Sequence, residues 1–252
     1  MPILLLILRL PVLILHILIG LFTIIFFPKE TRYFKHIHYS IMMLWMRFLS
    51  FILGIKVDIR GTPDLSADLY VSNHVTYLDI IIINKLLPVN FIAKEAIASW
   101  PIIGVLASKT GTLFIKRGDN VESTKMIHEM EERFKIKNKI VFFPEGKIGN
   151  GIRVKKFHYK LFKSIENKDL SIQPIAIRYP RDYPQDNNYS EMISNKSEKG
   201  EMISLYLKFL MRRKSHVILL FLDKVSTRDC ENETVANVLA DKINDALDNL
   251  NS

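Results

Sequence analysis

A mixed α/β fold is what this sequence predicts: a seven-stranded sheet flanked by helices, preceded by an N-terminal membrane-associated helical hairpin. Three observations predict it. The first 55 residues are dominated by apolar runs, and hydrophobic residues make up 48% of the 252-residue chain. Beyond residue 55, short β-rich runs alternate with stretches of helical period, which implies βαβ units and a largely parallel, buried sheet. The last such stretch repeats Val235, Leu239, Ile243 and Leu247 at four-residue spacing, a stripe suited to packing on that sheet.

Residues 10–27 read LPVLILHILIGLFTIIFF, about the 18 apolar residues that a bilayer span requires. Arg9, Pro11, His16 and Gly20 interrupt the run. A cleaved signal peptide is the competing reading, but no cationic stretch precedes the run and no small-x-small site follows it. Residues 40–55, SIMMLWMRFLSFILGI, carry Arg47 at their centre and are too short and too charged to span comfortably. They read as an interfacial or re-entrant helix. Lys29, Arg32, Lys35 and Lys56 flank these segments and place the main body on the cytoplasmic side. The expected division is a membrane-associated segment over 1–55 and an α/β domain over 56–252.

Within that domain the strands are expected at 56–60, 68–72, 90–93, 112–116, 139–143, 172–178 and 217–224. Helical stretches fall at 78–86, 95–106, 121–135, 157–165, 201–213 and 234–250. Residues 179–200 are polar and rich in turn formers, so they are expected to be a surface loop. There is no internal repeat.

The net charge is +9. A basic balance suits nucleic acid, an anionic bilayer or acidic substrates. The apolar content favours the last two, and no basic–aromatic groove pattern supports nucleic acid. Cys230 is the only cysteine, which excludes an intrachain disulfide and a cysteine-based zinc site.

Three short stretches carry chemistry. In VSNHVTYLDI, His74 and Asp79 lie five positions apart in an apolar context. On one continuous helix they would sit about 140° apart and could not meet. They meet if His74 lies in the turn after the 68–72 strand and Asp79 in the first turns of the next helix. Ligands bind just there, beyond the carboxyl ends of strands, in open α/β sheets. Asp79 could then orient the imidazole and stabilise the imidazolium. A local reading stands beside this one: Thr76-Tyr77-Leu78-Asp79 has the capping-box pattern, so Asp79 could serve only backbone N–H groups. The second stretch, VFFPEGKIGNG, runs a strand into Pro144-Glu145-Gly146 and a glycine-rich turn. The third, GTLFIKRG, ends a strand in Lys116 and Arg117, either a solvated strand end or an anion clamp.

In this order, His-x4-Asp, a strand ending in Lys-Arg, then Phe-Pro-Glu-Gly, the chain resembles the PlsC-like glycerolipid acyltransferases, whose best-known branch acts on 1-acylglycerol-3-phosphate. AKEAIASWPIIG (93–104) is similar to that family's connector, and QPIAI (173–177) to its fourth block. The resemblance covers residues 57 to 225. It implies a membrane-bound O-acyltransferase that moves a fatty acyl group from acyl-CoA or acyl-carrier protein to a lysolipid hydroxyl, in phospholipid biosynthesis. His74 would be the general base, with no acyl-enzyme, no metal and no cofactor beyond the donor substrate. Arg117, with Lys116, would contact phosphate, Glu145 and Gly146 would shape the acceptor pocket, and Pro174 would shape the acyl channel. Lys147, Ile148 and Gly149 depart from the family's usual continuation of the third block, a threonine, then arginine or threonine, then serine. Lys147 could replace the missing arginine as a point charge. The glycine-rich turn also resembles the branch that includes lyso-ornithine-lipid acyltransferases. The expected partners are the lysolipid acceptor, anionic membrane lipids and, as one of the two donors, acyl-carrier protein. A rival of another class is a non-catalytic module that holds anionic membranes, for which a general base would be superfluous.

Overall fold

The computed structural model describes all residues except 29, 31–32, 117–119, 155, 166–167, 181–198, 230–234 and 252. The chain opens with two apolar helices, α1 (Pro2–Thr23, extended by a 3₁₀ turn to Phe26) and α2 (His36–Ile52). There follow β1 (Ile55–Arg60), β2 (Leu69–Ser72), α3 (Leu78–Asn84) and β3 (Asn90–Lys94). The middle of the chain forms α4 (Ile103–Lys109), β4 (Leu113–Ile115), α5 (Asn120–Lys135) and β5 (Ile140–Phe142). After a 3₁₀ turn, Lys160–Ile165, come β6 (Ser171–Arg178), α6 (Lys199–Met211), β7 (Ser215–Phe221), the two-residue β8 (Val225–Ser226) and α7 (Val235–Asn251). The strand order is β1-β7-β6-β2-β5-β3-β4, with β8 paired to β6. Pairing is parallel except where β6 meets β7 and β8. The sheet is therefore mixed, and β8 makes an eighth strand beyond the seven expected.

Every expected strand appears within about three residues of its expected bounds, the largest shift being the end of the 217–224 strand at Phe221, but two helices differ. The helix expected over 95–106 is a 3₁₀ turn, Glu95–Ile97, followed by the short α4. Pro101 disfavours helical backbone at the residue before it. Ile102 then takes a left-handed φ of 67°, which resets the chain direction before α4 starts. The helix expected over 157–165 is reduced to the 3₁₀ turn at its end. Most of the 179–200 loop lies outside the described residues.

Two apolar layers cover the sheet. One joins α1, α2, α3 and α6 residues such as Leu13, Leu49, Ile82 and Phe209 to the sheet residues Tyr70 and Val141. The other joins α5 and α7, through Met130, Leu239 and Ile243, to Leu69 and Phe142. Strand β2 lies at the centre and is buried along its whole length. The stripe Val235, Leu239, Ile243 and Leu247 belongs to this second layer as expected.

The interruptions in the N-terminal apolar run each have a partner, apart from Pro11, which lies inside α1. Arg9 donates to the carbonyls of Leu210 (3.4 Å), Arg212 (2.6 Å) and Arg213 (3.3 Å), at the end of α6 where helix carbonyls lack internal partners. His16 stacks on Trp45 with centroids 4.5 Å apart, and the Trp45 indole donates to the His16 carbonyl at 3.2 Å. Gly20 lies against the same indole, where a Cβ would meet Nε1 at 2.7 Å. In α2, Arg47 donates from Nε to the carbonyl of Lys85 at 3.0 Å, just past the end of α3. Both arginines thus serve carbonyls at helix ends of the α/β body. The outer surfaces of α1 and α2 remain apolar and exposed, with Ile7, Leu15, Phe22, Leu44, Phe48 and Phe51 among the residues uncovered. Only Pro2–Phe26 is long and apolar enough to cross a membrane among the described residues.

Candidate active site

Strand β2 ends at Ser72, and the chain then turns sharply into α3. Asn73 holds that turn to the neighbouring strand. Its amide donates to the Ile177 carbonyl at 2.9 Å and accepts from the Ile177 N–H at 2.7 Å, continuing the β2–β6 pairing with a side chain. His74 occupies the turn and Asp79 the first turn of α3, so the two meet: His74 Nδ1 lies 2.8 Å from Asp79 Oδ2. The same Oδ2 accepts the backbone N–H groups of Val75 (2.6 Å) and Thr76 (2.9 Å). The local reading and the functional reading of Asp79 are therefore served by one oxygen. The other oxygen accepts the Tyr179 hydroxyl at 2.8 Å, and the side chain is fully buried.

A carboxylate at Nδ1 sets the tautomer in which Nδ1 carries the proton and Nε2 its lone pair. The imidazole is also held by a ring: Phe143 stacks on it at 4.1 Å between centroids and 14° between planes. The backbone of His74 is clamped from the 145–149 turn. Glu145 Oε1 accepts the His74 N–H at 2.9 Å, and the His74 carbonyl accepts the Gly149 N–H at 2.7 Å. A Cβ at Gly149 would stand 2.7 Å from Glu145 Oε2, so the turn crosses the carboxylate only because it lacks a side chain there. Gly146 has φ +66°, the left-handed conformation that glycine adopts at least cost. Burial raises the pKa of Glu145, an effect partly opposed by the His74 N–H and the nearby imidazole.

Two cavities flank the Phe91–Phe143 ring pair, whose centroids are 6.2 Å apart. One, about 170 Å³, runs between the N-terminal helices and the sheet and is lined by Trp45, Tyr77, Phe91, Trp100, Ile103 and Leu106. The other, about 360 Å³, is bounded by Ile115, Ser123, Phe143, Gly146, His158 and Lys160. Glu145 and Gly146 thus reach the site together, with Gly146 in the wall of the larger cavity. Lys147 is exposed in the same turn. Lys116 is exposed at the end of the edge strand β4, three strands from β2, or about 14 Å at the usual strand spacing. Arg117 lies outside the described residues, as does Cys230. Pro174 is buried inside β6 opposite Val71, and neither cavity wall includes it. Among the described residues no group of three His, Cys, Asp or Glu side chains is arranged to hold a metal ion.

Sequence reasoning missed Tyr179, Phe143 and the structural use of Asn73. Tyr179 is 100 positions from Asp79, and no local spacing could connect them. Phe143 was legible only as the end of an apolar strand.

Residues 56–178 match the model of the Acyltransferase family. The matched stretch runs from β1 to the end of β6 and includes the His74–Asp79 pair. A lyso-ornithine lipid O-acyltransferase of Pseudomonas aeruginosa is 35% identical over 138 residues, 55% of this chain and 53% of the relative. One from Rhodobacter capsulatus is 36% identical over 132 residues, 51% and 48% of the two chains. A 1-acyl-sn-glycerol-3-phosphate acyltransferase of Neisseria gonorrhoeae is 29% identical over 127 residues, half of each chain. These alignments span about half the length of the curated relatives. The crystal structure of the 1-acyl-sn-glycerophosphate acyltransferase PlsC from Thermotoga maritima shares the fold, with a TM-score of 0.69 at 14% identity over 99% of this chain and 96% of that one. Over residues 56–178, just under half of the chain, the protein is thus similar to the PlsC-like acyltransferases, and its fold is theirs over nearly its whole length.

Proposed function

We propose that the protein transfers a fatty acyl group from acyl-CoA or acyl-carrier protein to the free hydroxyl of a membrane lysolipid. The observation that carries this reading is the His74–Asp79 contact at 2.8 Å, with the imidazole stacked on Phe143 in the wall of the larger cavity. Nε2 of His74 takes the hydroxyl proton, and the oxygen attacks the thioester carbonyl. Collapse of the tetrahedral species expels the thiolate, which recovers the proton from the imidazolium. Asp79 stabilises that imidazolium, and Tyr179 fixes Asp79. No side chain is acylated and no metal takes part in these steps. The apolar cavity suits an acyl chain, and the larger one, with His158 and Lys160, suits an anionic group. The exposed apolar faces of α1 and α2 would hold the enzyme to the membrane, with the body on the cytoplasmic face.

The first acceptor to offer is 1-acylglycerol-3-phosphate, which would give phosphatidic acid. A second acceptor, lyso-ornithine lipid, is favoured by one observation: the relatives at 35% and 36% identity carry that name. Purified enzyme given one acyl donor and each lysolipid in turn decides between them by kcat/KM. Lysophosphatidic acid as the better substrate, with Arg117→Ala raising its KM selectively, supports the first assignment. A preference for lyso-ornithine lipid replaces it and removes the phosphate role of Arg117. Turnover of neither would overturn the reaction itself.

A further inference from the structure

Arg47 and Lys85 form a pair of cations at the carboxyl end of α3, the end remote from Asp79. Arg47 uses Nε on the Lys85 carbonyl, and Lys85 Nζ donates to Ser50 Oγ at 3.1 Å. Capping a helix needs one cation there, not two. Among the described residues neither side chain makes an ion pair with a carboxylate, although surface cations elsewhere, such as Lys125, Lys135 and Lys168, do. The side chain of Lys85 is half-buried, and burial, followed by repulsion from Arg47, lowers its pKa. Two like charges in this position favour an anion as their third member.

The surroundings say which anion. Leu44, Arg47, Phe48 and Phe51 fall at i, i+3, i+4 and i+7 of α2 and share one helix face. Leu44, Phe48 and Phe51 are 52%, 55% and 80% exposed. A cation between large exposed apolar side chains matches the boundary between acyl chains and headgroups. A soluble anion would match the charges and leave the apolar residues in water.

We propose that Arg47 and Lys85 bind the phosphate of an anionic bilayer phospholipid, as a docking site separate from the acceptor site. The inference rests on the membrane reading of α2 and not on the acyl-transfer reaction. Along α3 the site stands about 9 Å from Asp79, six residues at 1.5 Å each.

The test is flotation of the full chain with phosphatidylcholine vesicles and with vesicles containing a third phosphatidylglycerol. The parent should bind the anionic vesicles more tightly. Arg47→Gln and Lys85→Gln should each cut that gain roughly fivefold and leave binding to phosphatidylcholine unchanged. Lys242→Gln, an equal loss of charge on α7 in the opposite layer, should keep the gain. Arg47→Lys, which retains the charge, should keep it too. Inorganic phosphate at matched ionic strength should not displace the bound protein. Should Arg47→Gln fail to fold, Lys85→Gln decides alone. If the glutamine variants keep the parent's gain, or Lys242→Gln loses as much, the site is refuted while the membrane reading stands. Displacement by inorganic phosphate refutes the lipid as ligand. Failure of the parent to bind either vesicle overturns the membrane reading and the site with it.

Discussion

The two layers that cover the sheet are alike inside and opposite outside. Toward the sheet, both present aliphatic and aromatic side chains, Leu53, Ile82 and Phe209 in one and Met130, Leu239 and Ile243 in the other. Away from it, α1 and α2 expose Ile7, Leu15, Phe22 and Phe51. Helix α5 instead carries the ion pairs Lys125–Glu122, Arg133–Glu129 and Lys135–Glu132 at one-turn spacing. The inner faces hold the fold together, and only the outer faces distinguish one side's solvent from the other's. The candidate site sits where the layers meet. Asp79 rides on α3 in the apolar-backed layer, and Phe143 lies just past the end of β5, a strand that packs into both.

The sharpest way to break this comparison is to separate catalysis from docking. His74→Ala should lower acyl transfer about 10²–10⁴-fold, as for loss of a general base, while flotation with vesicles is unchanged. Turnover within tenfold of the parent would remove His74 from the mechanism. Next in size, Leu239→Ala should cost about 2–5 kcal/mol of unfolding free energy and leave vesicle binding alone, since its side chain is fully buried. Phe51→Ala should do the reverse, weakening vesicle binding with little change in the denaturant midpoint. Equal losses of stability in these two variants would mean that α2 is ordinary core.

Smaller effects sharpen the picture. Burial raises the pKa of Glu145 from its ordinary 4.5, so the folded protein favours the neutral acid. The sign follows: its contribution is full below pH 4.5 and is lost as pH rises through the folded value. Glu145→Gln, which keeps an acceptor for the His74 N–H, should flatten the fall of Tm with pH above 4.5. A profile parallel to the parent's would show that Glu145 does not titrate in that range. Least of all, Glu132→Gln breaks the exposed pair with Lys135 on α5 and should move Tm by less than about 2 °C.

The strands were legible because their apolar runs are short, bounded by turn formers and spaced by helical stretches. The His74–Asp79 contact was legible because both residues belong to one strand–turn–helix unit. What stayed hidden depends on tertiary contact. Tyr179 reaches Asp79 from the end of β6, and Asn73 mimics a strand toward Ile177. Arg9 and Arg47 looked like flaws in apolar segments because the helix ends they serve lie elsewhere in the chain. The break at Pro101 could have been foreseen. Proline inside an expected helix argues for its end.

The bond between Arg9 and the Arg212 carbonyl joins residues 203 positions apart. At ribosomal speeds of about 5–20 residues per second, α1 leaves the ribosome roughly 10–40 s before its anchor is made. Throughout that interval the face of α1 that packs on α6 is uncovered along with its outer face, and only the side toward Trp45 of α2 has a partner to hand. A nascent chain of this kind needs a temporary host for its first helix, and a bilayer reached early in translation would serve. The sheet would then assemble beneath a helix already at the membrane, with Arg9 tying that helix to the end of α6 once it emerges.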